Sequence, residues 1–529
     1  MNFKNLINKF IESYKSSIQR FAVTFGYTIA MALVTSYAII TENDEDAILH
    51  IMGALLFSCM LSILLTLLLE KKTPYNKLIT LACSLISSVA VYFIIRTEKS
   101  FVLMGYAGLL AIMLCLIIWC VYRISDRDSI FAYMISRLFY TGLLVSVVVS
   151  GISICIAAFD SLIFNIEDAY KVYLIVSDVA LLVLGVNHYL SAVPEDDEPK
   201  RVSKAYSVIF NKVSLAIYLL LLVILYIYLI KSIFSAELPR GRINIFSSLA
   251  LLMFCFYYLS VRFEKDSLLQ KYLQLSGLLM IPIMIIQAVA IYIRVAELGL
   301  TAVRCLSLVC NLIAFMFVID SIFIKKVRWL FPAMALAILL ATIGPLNVIS
   351  SGNRYQQAII EKVLKNYGAV YQDDRLSYQG AISDEDYAKL ISAADYLSYQ
   401  SDDTLSQRQT MLASDEFVSQ VKEWYGKDDT PSTWRDYYFN RYYESLEVEG
   451  YRSIEWFNMY GEEIDVRVAD VSLKPLLEDY MANYRTDKQP EELVIETDSV
   501  KIILTDVYIS IQNNETVVKA DISGMILRK

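Results

Sequence analysis

For its first 350 residues the chain repeats one pattern, a run of about twenty apolar residues and then a short polar connection. Twenty helical residues rise about 30 Å, the thickness of a bilayer's hydrocarbon core, so each run predicts a membrane-spanning helix. Eleven such spans are predicted, at roughly 21–40, 47–69, 77–95, 101–122, 138–159, 172–192, 213–230, 243–261, 275–293, 302–324 and 328–349. Ahead of them, Phe3, Leu6, Ile7, Phe10, Ile11, Tyr14 and Ile18 recur at helical spacing, while Lys4, Lys9, Lys15 and Arg20 fall off that stripe. Residues 1–20 therefore predict an amphipathic basic helix lying on a membrane surface. No small-residue cleavage site follows the next apolar run, so that run is expected to stay as an anchor.

Beyond residue 350 the periodicity is that of a water-soluble domain. Ile359, Ile360, Val363 and Leu364 share one face of a helix predicted from Tyr355 to Tyr367. In "ISDEDYAKLISAADYL", Ser383 stands as N-cap and Asp386 at the third helical position, an acidic variant of the capping box. A third helix is expected over Asp415 to Tyr425. The period then falls to two. Ile464, Val466 and Val468 alternate with Asp465 and Arg467, and Val507, Ile509 and Ile511 alternate again. "QNNET" reads as a turn, with Val517 to Leu527 returning as the second arm of a hairpin. The fold class is a polytopic α-helical membrane domain of about eleven spans (21–350), followed by a soluble α+β domain (351–529).

Charge follows the same division. Residues 351–529 hold 33 Asp and Glu against 19 Lys and Arg, a balance of −14, whereas residues 1–350 carry +6. Alternate connections of the apolar part hold 20 and 8 basic residues, and the richer set includes the N-terminal helix. The positive-inside rule then places the N-terminus in the cytoplasm, and an odd number of spans places the last domain outside. The expected location is a bacterial cytoplasmic membrane. An acidic domain repels phosphates, so no nucleic-acid partner is expected.

All eight cysteines (Cys59, Cys83, Cys115, Cys120, Cys155, Cys255, Cys305, Cys310) and both histidines (His50, His188) lie in the apolar part. The polar domain thus has no thiol nucleophile, no Ser-His-Asp triad and no histidine for zinc. Asp402 with Asp403 and Asp428 with Asp429 are adjacent acids of the kind usually solvated in loops. Neither a Walker motif nor a Rossmann glycine fingerprint occurs. No cofactor, metal or catalytic residue is predicted.

The division is sharpest at "GPLNVISSGNRYQQ", Gly344 to Gln357. Pro345 removes a backbone donor and Gly344 loosens the helix, which predicts an elbow at the outer end of the last span. Gly352 and Asn353 suit turn geometry, with Arg354 about one turn beyond the hydrocarbon. This stretch, together with "ISDEDYAKLISAADYLSYQ", resembles bacterial membrane proteins grouped as domain-of-unknown-function family 4153. Gly344, Pro345, Ser350, Arg354, Gln357, Tyr396 and Leu397 sit at the matching places, while Asn366-Tyr367-Gly368 departs from the family's Asn-Gly helix ending. The resemblance implies a membrane location and a shared layout, and carries no activity.

Ionisable and amide groups inside spans are the remaining candidates. Asp178 lies about two turns into its span, and His188 is ten residues on, about 80° round the helix and about 15 Å further along it, so the two share no face. Gln287 and Asn311, with Pro282 nearby, suggest a polar patch between the last spans. Asp320 and Arg304, near span ends, are expected to snorkel to water. The first outer loop, "TENDEDA", holds Glu42, Asp44, Glu45 and Asp46. Polytopic lipid-linked-sugar glycosyltransferases are similar in placing acids there, although their loop is long and structured. Tyr437, Tyr438, Tyr442 and Tyr443, with Trp434 and Trp456, offer ring faces for core packing or for a sugar or protein partner.

Together these features predict a multi-pass membrane protein whose outward domain serves envelope sensing, binding or assembly without catalysis. Its partners would be membrane lipid and an envelope glycan or another membrane protein. The alternatives are a secondary transporter using an intramembrane polar path and, more remotely, a lipid-linked-sugar glycosyltransferase.

Overall fold

A computed structural model describes residues 3–42, 46–70, 75–162, 166, 168–198, 201–235, 242–264, 267–344, 346–372, 374–400, 402–425, 435–440, 453–461, 467–469, 471–482, 493–497, 499–512 and 516–528. Contacts divide the chain into two units, Met1–Asp374 with Asp384–Val418, and Arg375–Ser383 with Ser419–Lys529.

The first unit opens with α1 (Phe3–Arg20), which runs through Phe21 into α2 (Ala22–Thr41). Apolar helices follow as α3 (Asp46–Leu69), α4 (Asn76–Ile95), α5 (Ser100–Ile124) and α6 (Ile130–Leu162). The next span is α7 (Ala169–Val179) and α8 (Val186–Leu190) around a π-helical stretch, Ala180–Gly185. Another joins α9 (Lys204–Val208) to α10 (Leu215–Ser235) through a π-helix at Ile209–Ser214. Then come α11 (Arg242–Val261), α12 (Ser267–Leu298), α13 (Ala302–Ile319) with a π-helical end at Asp320–Ile324, and α14 (Leu330–Thr342).

Among the described residues ten helices are long and apolar enough to cross a membrane. The predicted eleventh span is the shorter α14, whose 13 residues rise about 20 Å. Its ends nevertheless meet opposite ends of the bundle. Before it, the Lys325 carbonyl accepts from Arg262 (3.2 Å), whose Nε binds Asp128 (2.8 Å) between α5 and α6. After it, the next helix binds the connection between α12 and α13. A 3-10 turn at Val327–Trp329 precedes it, and a positive-φ step at Gly344 follows it. The end holding Arg262 is also tied by Arg20–Glu70 (2.8 Å) and Arg127–Asp197 (2.9 Å), so the predicted basic connections gather at one face.

Close packing uses small residues, as expected where lipid supplies no hydrophobic drive between helices. A Cβ on Gly108 of α5 would lie 2.1 Å from the Thr342 hydroxyl of α14, so α5 and α14 approach backbone to side chain. Tyr122 stacks on Phe331 along the same contact, with ring centroids 5.2 Å apart.

The unit continues with α15 (Val348–Asn366), β1 (Val370–Gln372), α16 (Asp384–Ser398), α17 (Gln407–Leu412) and the start of α18 (Asp415–Trp424). Helix α15 starts seven residues before the predicted Tyr355. Gly352 and Asn353, expected in a turn, are helical and buried. The cause is Asn347, whose Oδ1 accepts from the Ser350 amide (2.8 Å) and so caps the helix early. Gly344, with φ +85°, makes the bend, and Pro345 lies outside the described residues. Apolar positions Ile360, Val363 and Leu364 of α15 are buried, as are Leu390, Ala393, Ala394 and Leu397 of α16.

The second unit contains β2 (Arg375–Ser377), β3 (Arg435–Asn440), β4 (Ser453–Gly461), β5 (Arg467–Val468), β6 (Val471–Ser472), α19 (Lys474–Ala482), β7 (Leu493–Glu496), β8 (Val500–Gln512) and β9 (Thr516–Arg528). The main sheet is antiparallel in the order β3-β8-β9-β4, with β7 also on β8. The predicted hairpin is β8–β9, in register from Val500↔Arg528 to Gln512↔Thr516; the turn residues between lie outside the described residues. A register shift between Leu504 and Asp506 changes which residues face the core, from Ile502 and Leu504 to Val507 and Ile509. Leu473, Leu477 and Tyr480 pack on that face. Of the predicted Ile464–Val468 strand only Arg467–Val468 is described, paired with β6.

Candidate functional site

Sequence spacing builds one polar stripe through the membrane unit. Ser17, Thr24, Thr28, Thr35 and Glu42 follow one another at intervals of seven, four, seven and seven residues, which returns them to nearly one face of α1–α2. Most of that face meets the broken span α7–α8, which runs antiparallel to it. At one end Lys171 Nζ lies 2.8 Å from the Glu42 carboxylate and Tyr170 donates to it at 2.6 Å. The Lys171 hydrogen bond, with that of Tyr170, holds the Glu42 carboxyl below the usual carboxylate range. Deeper, Thr35 donates a short hydrogen bond to Asp178. Next, Asn187 Nδ2 donates to Thr28 (3.2 Å) and to the Val183 carbonyl (2.7 Å). Ser17 donates to the Asn187 carbonyl (2.9 Å) and Tyr14 to that of Val183 (2.9 Å). Thr24 turns instead to Ser62 of α3 (2.7 Å).

The π-helix is what keeps this register. Steps from Glu42 to Thr35 to Thr28 are seven and seven, whereas their partners Lys171, Asp178 and Asn187 step by seven and nine. The wider turn at Ala180–Gly185 takes up the excess, and such bulges recur at functional sites. Asp178 is half-buried, and among the described residues no cationic side chain lies within 4 Å of it. Asn187 is wholly buried, and its Oδ1 has no hydrogen-bond partner among the described residues.

His188 takes a different side, with Nδ1 2.8 Å from the Thr141 hydroxyl of α6. Along this one span Asp178 therefore meets α2 and His188 meets α6. The structure does bring Gln287 and Asn311 together. Gln287 Nε2 donates to Asn244 Oδ1 (3.0 Å) and Ser248 (2.7 Å), and its Oε1 accepts from Asn311 (3.4 Å). Asn244 and Asn311 find further partners in Ser307 (2.8 Å) and the Met284 carbonyl (3.2 Å). This is a closed amide cluster joining α11, α12 and α13.

Asp320 corrects an expectation. Instead of snorkelling it is wholly buried, accepting from Tyr258 (2.9 Å), Trp329 Nε1 (2.8 Å) and the Lys326 amide (2.9 Å). Arg262 stands 3.9 Å away and also donates to Tyr258 (2.7 Å).

At the elbow, Arg354 is exposed with Nε on the Ser350 carbonyl (3.2 Å). Gln357 donates to Glu361 (2.8 Å) and accepts from Gln409 (3.0 Å). Its neighbour Gln356, which the sequence did not single out, is the buried key. Its Nε2 donates to the carbonyls of Leu298 (3.1 Å) and Leu300 (3.0 Å). Tyr396 accepts from the Ala302 amide (3.1 Å), and its hydroxyl would stand 2.6 Å from a Cβ on Gly352. Burial raises the Tyr396 phenol above its ordinary pKa.

Of the acidic loop, Asp44 and Glu45 lie outside the described residues, as do Asp428, Asp429, Trp434, Tyr442 and Tyr443. Tyr437 and Tyr438 belong to β3, opposite Ile509 and Tyr508, and Trp456 to β4 opposite Met525. Among the described residues no group of three or more His, Cys, Asp or Glu side chains is placed to hold a metal.

No solved structure matches the chain. An uncharacterised protein of Pasteurella multocida (strain Pm70) is 23% identical over 415 residues, covering 75% of this chain and 68% of that protein. The family model described as a domain of unknown function, DUF4153, matches residues 28–388, from the second turn of α2 into α16. The match takes in most of α2, the later membrane helices, the elbow, α15 and the start of α16, and the chain belongs to the DUF4153 family.

Proposed function

We propose that this multi-pass protein holds its polar region outside a bacterial cytoplasmic membrane, where it senses, binds or assembles an envelope component without catalysis. One observation carries the reading: Gln356 and Tyr396 bind the backbone of residues 298–302 between α12 and α13. Such side chain to backbone bonds fix the polar helices to two spans, so a load on those helices reaches the membrane. The basic connections gathered at the opposite end support the orientation. The partner class is an envelope glycan or another membrane protein.

The test uses the full chain in intact cells. Tyr399, 88% exposed in the turn after α16, is replaced by Cys and treated with a membrane-impermeant thiol reagent. Labelling without permeabilisation is expected, and labelling only after permeabilisation overturns the orientation. Cross-linking in the same cells is expected to join the region after residue 350 to glycan or protein. A clean absence of adducts overturns the binding role.

The stripe favours a second reading, a secondary transporter in which Asp178 carries a proton or small cation. A mid-span carboxylate with one hydroxyl partner is what such coupling needs. Asp178→Asn should then abolish a pH-driven flux in proteoliposomes, and an unchanged flux overturns it.

A further inference from the structure

We propose that Asp178 and Thr35 form a proton-binding site in which one hydrogen bond reverses direction as the proton arrives and leaves. The inference rests on the transport reading for its use, since it names the proton as the ion carried, while the proton's presence is measured without flux. The count of protons and acceptors points to it. Thr35 Oγ1 has one proton and faces three acceptors: the Asp178 carboxyl, the Met31 carbonyl (3.0 Å) and the Ala32 carbonyl (3.1 Å). Both carbonyls lie inside α2, where the amides of Thr35 and Ser36 already serve them. The hydroxyl proton can therefore turn either way and strand no group. With Asp178 ionised, Thr35 donates to the carboxylate. With Asp178 protonated, its O–H donates to Thr35 Oγ1, and the Thr35 proton turns to the Met31 or Ala32 carbonyl. One proton is taken up, one bond reverses, and both groups stay hydrogen-bonded in each form.

Asp320 lacks this freedom. Trp329 Nε1 and the Lys326 amide can only donate, so its partners hold the ionised form. A hydroxyl both donates and accepts, and among the described residues Thr35 is the hydrogen-bond partner of Asp178. The surrounding charges select the ion. Helix α2 carries no charged side chain from Ala22 to Thr41. On the Asp178 span, Lys171 lies about two turns away, roughly 10 Å along the axis, and is held by Glu42 (2.8 Å) and Asp168 (3.0 Å). His188 lies about 15 Å the other way, on Thr141. Helix α6 packs on the same span and brings Arg137, which donates to Tyr133 (3.2 Å), and Asp160, which accepts from the Ile166 amide (2.6 Å). The remaining titratable groups on α2, α6 and α7, phenols and the Cys155 thiol, carry no positive charge in either form. With no described cation to balance it, an ionised Asp178 is costly in an apolar span, and a bound proton removes that cost. A metal cation such as Mg²⁺ or Ca²⁺ takes about six or more oxygens, whereas one carboxyl and one hydroxyl meet here.

Infrared spectroscopy of the full chain, in a detergent free of carbonyl groups, reads the carbonyl stretch of protonated carboxyls. The measurement is made at about pH 7, where exposed carboxylates are ionised. Wild type is expected to show such a band, and Asp178→Asn to lose it. Thr35→Val keeps the shape and removes the hydroxyl, so the band should move to higher frequency as the acid loses its acceptor. Thr35→Ser should return it to the wild-type position. That movement reports the hydrogen bond itself, which a merely structural role for Thr35 would leave alone. Asp197→Asn, at an exposed pair, should change nothing. A spectrum that Asp178→Asn leaves unaltered overturns the proton site, and a band that stays in place in Thr35→Val overturns the reversing bond. Flux in proteoliposomes separates this site from the transport reading. An Asp178 band without flux under a pH gradient upholds the proton site and overturns transport. Flux driven by a sodium gradient alone, with no Asp178 band, upholds transport and overturns the proton.

Discussion

Two aspartates of the membrane helices, Asp320 and Asp178, stand in opposite surroundings. Asp320 is wholly buried and surrounded by donors from three directions: Tyr258, Trp329 and the Lys326 amide, with Arg262 beyond. Asp178 is half-buried, and Thr35 is its hydrogen-bond donor. Both lie at π-helical stretches, Asp320 within one and Asp178 two residues before another. A carboxylate whose lone pairs are all engaged holds a structure together. One engaged by a single hydroxyl in a low-dielectric setting is left with something still to bind, be it a proton, a cation or a partner. Burial alone therefore does not rank intramembrane carboxylates; the number and kind of donors does.

The largest effect should come from removing the saturated member. Asp320→Ala strands Tyr258, Trp329, the Lys326 amide and the Arg262 charge together. Loss of one side of a buried charged network costs about 3–5 kcal/mol. Thermal unfolding in detergent measures it, and a cost no greater than that of Asp178→Ala breaks the comparison. Next in size is Gln287→Leu. It leaves Asn244 and Asn311 short of a partner in the closed amide cluster, for about 1–3 kcal/mol by the same measurement. Gly108→Leu tests packing instead of polarity: the new side chain must enter the space of Thr342, and overpacking costs about 1–3 kcal/mol.

Asp178→Asn should fall below all of these. The amide keeps an acceptor for Thr35 and removes a charge that no described cation balances, so stability should change by less than about 1 kcal/mol. The same substitution is the one expected to abolish flux under the transport reading. A variant with near-normal unfolding and altered flux would sharpen the contrast with Asp320; a large stability loss would show that Asp178 also holds the bundle together.

How much of this was legible in the chain follows from what each pattern encodes. Apolar runs near twenty residues fixed the spans, because length and hydropathy are the bilayer's own demands. Gln287 and Asn311 were legible as a pair because they stand out in adjacent apolar helices. Thr24, Thr28 and Thr35 were not, since hydroxyls alter hydropathy little. The seven-residue recurrence from Ser17 to Glu42 was the available signal. The π-helices leave no mark on an apolar pattern, so the register of Asn187 against Thr28 could not be read. At the elbow, Gly352 and Asn353 looked like a turn because both residue types favour turns. Only the fold shows that Gly352 is small because Tyr396 approaches it. In the second unit, alternation revealed β8 and β9, whereas β3 and β4 were hidden among aromatics read as ring surfaces.

The smallest effect belongs to an exposed aspartate, which supplies the baseline for the other two. Asp197 accepts from Ser125 (2.9 Å) and pairs with Arg127 (2.9 Å) at the end of the bundle, with its side chain 60% exposed. These two partners, Ser125 first, hold its carboxyl below the usual range. A depressed folded-state pKa means that its contribution is present above the unfolded-state pKa and is lost as pH falls through the folded value. Wild type and Arg127→Gln should therefore differ slightly in unfolding temperature at neutral pH and converge in acid. Because the pair is exposed, raising salt should shrink that difference too. Asp320, closed off from water, should not respond to salt. If salt moved the Asp320→Ala deficit as readily as the Arg127→Gln one, water would be reaching the buried carboxylate and its distinction from the exposed one would fail.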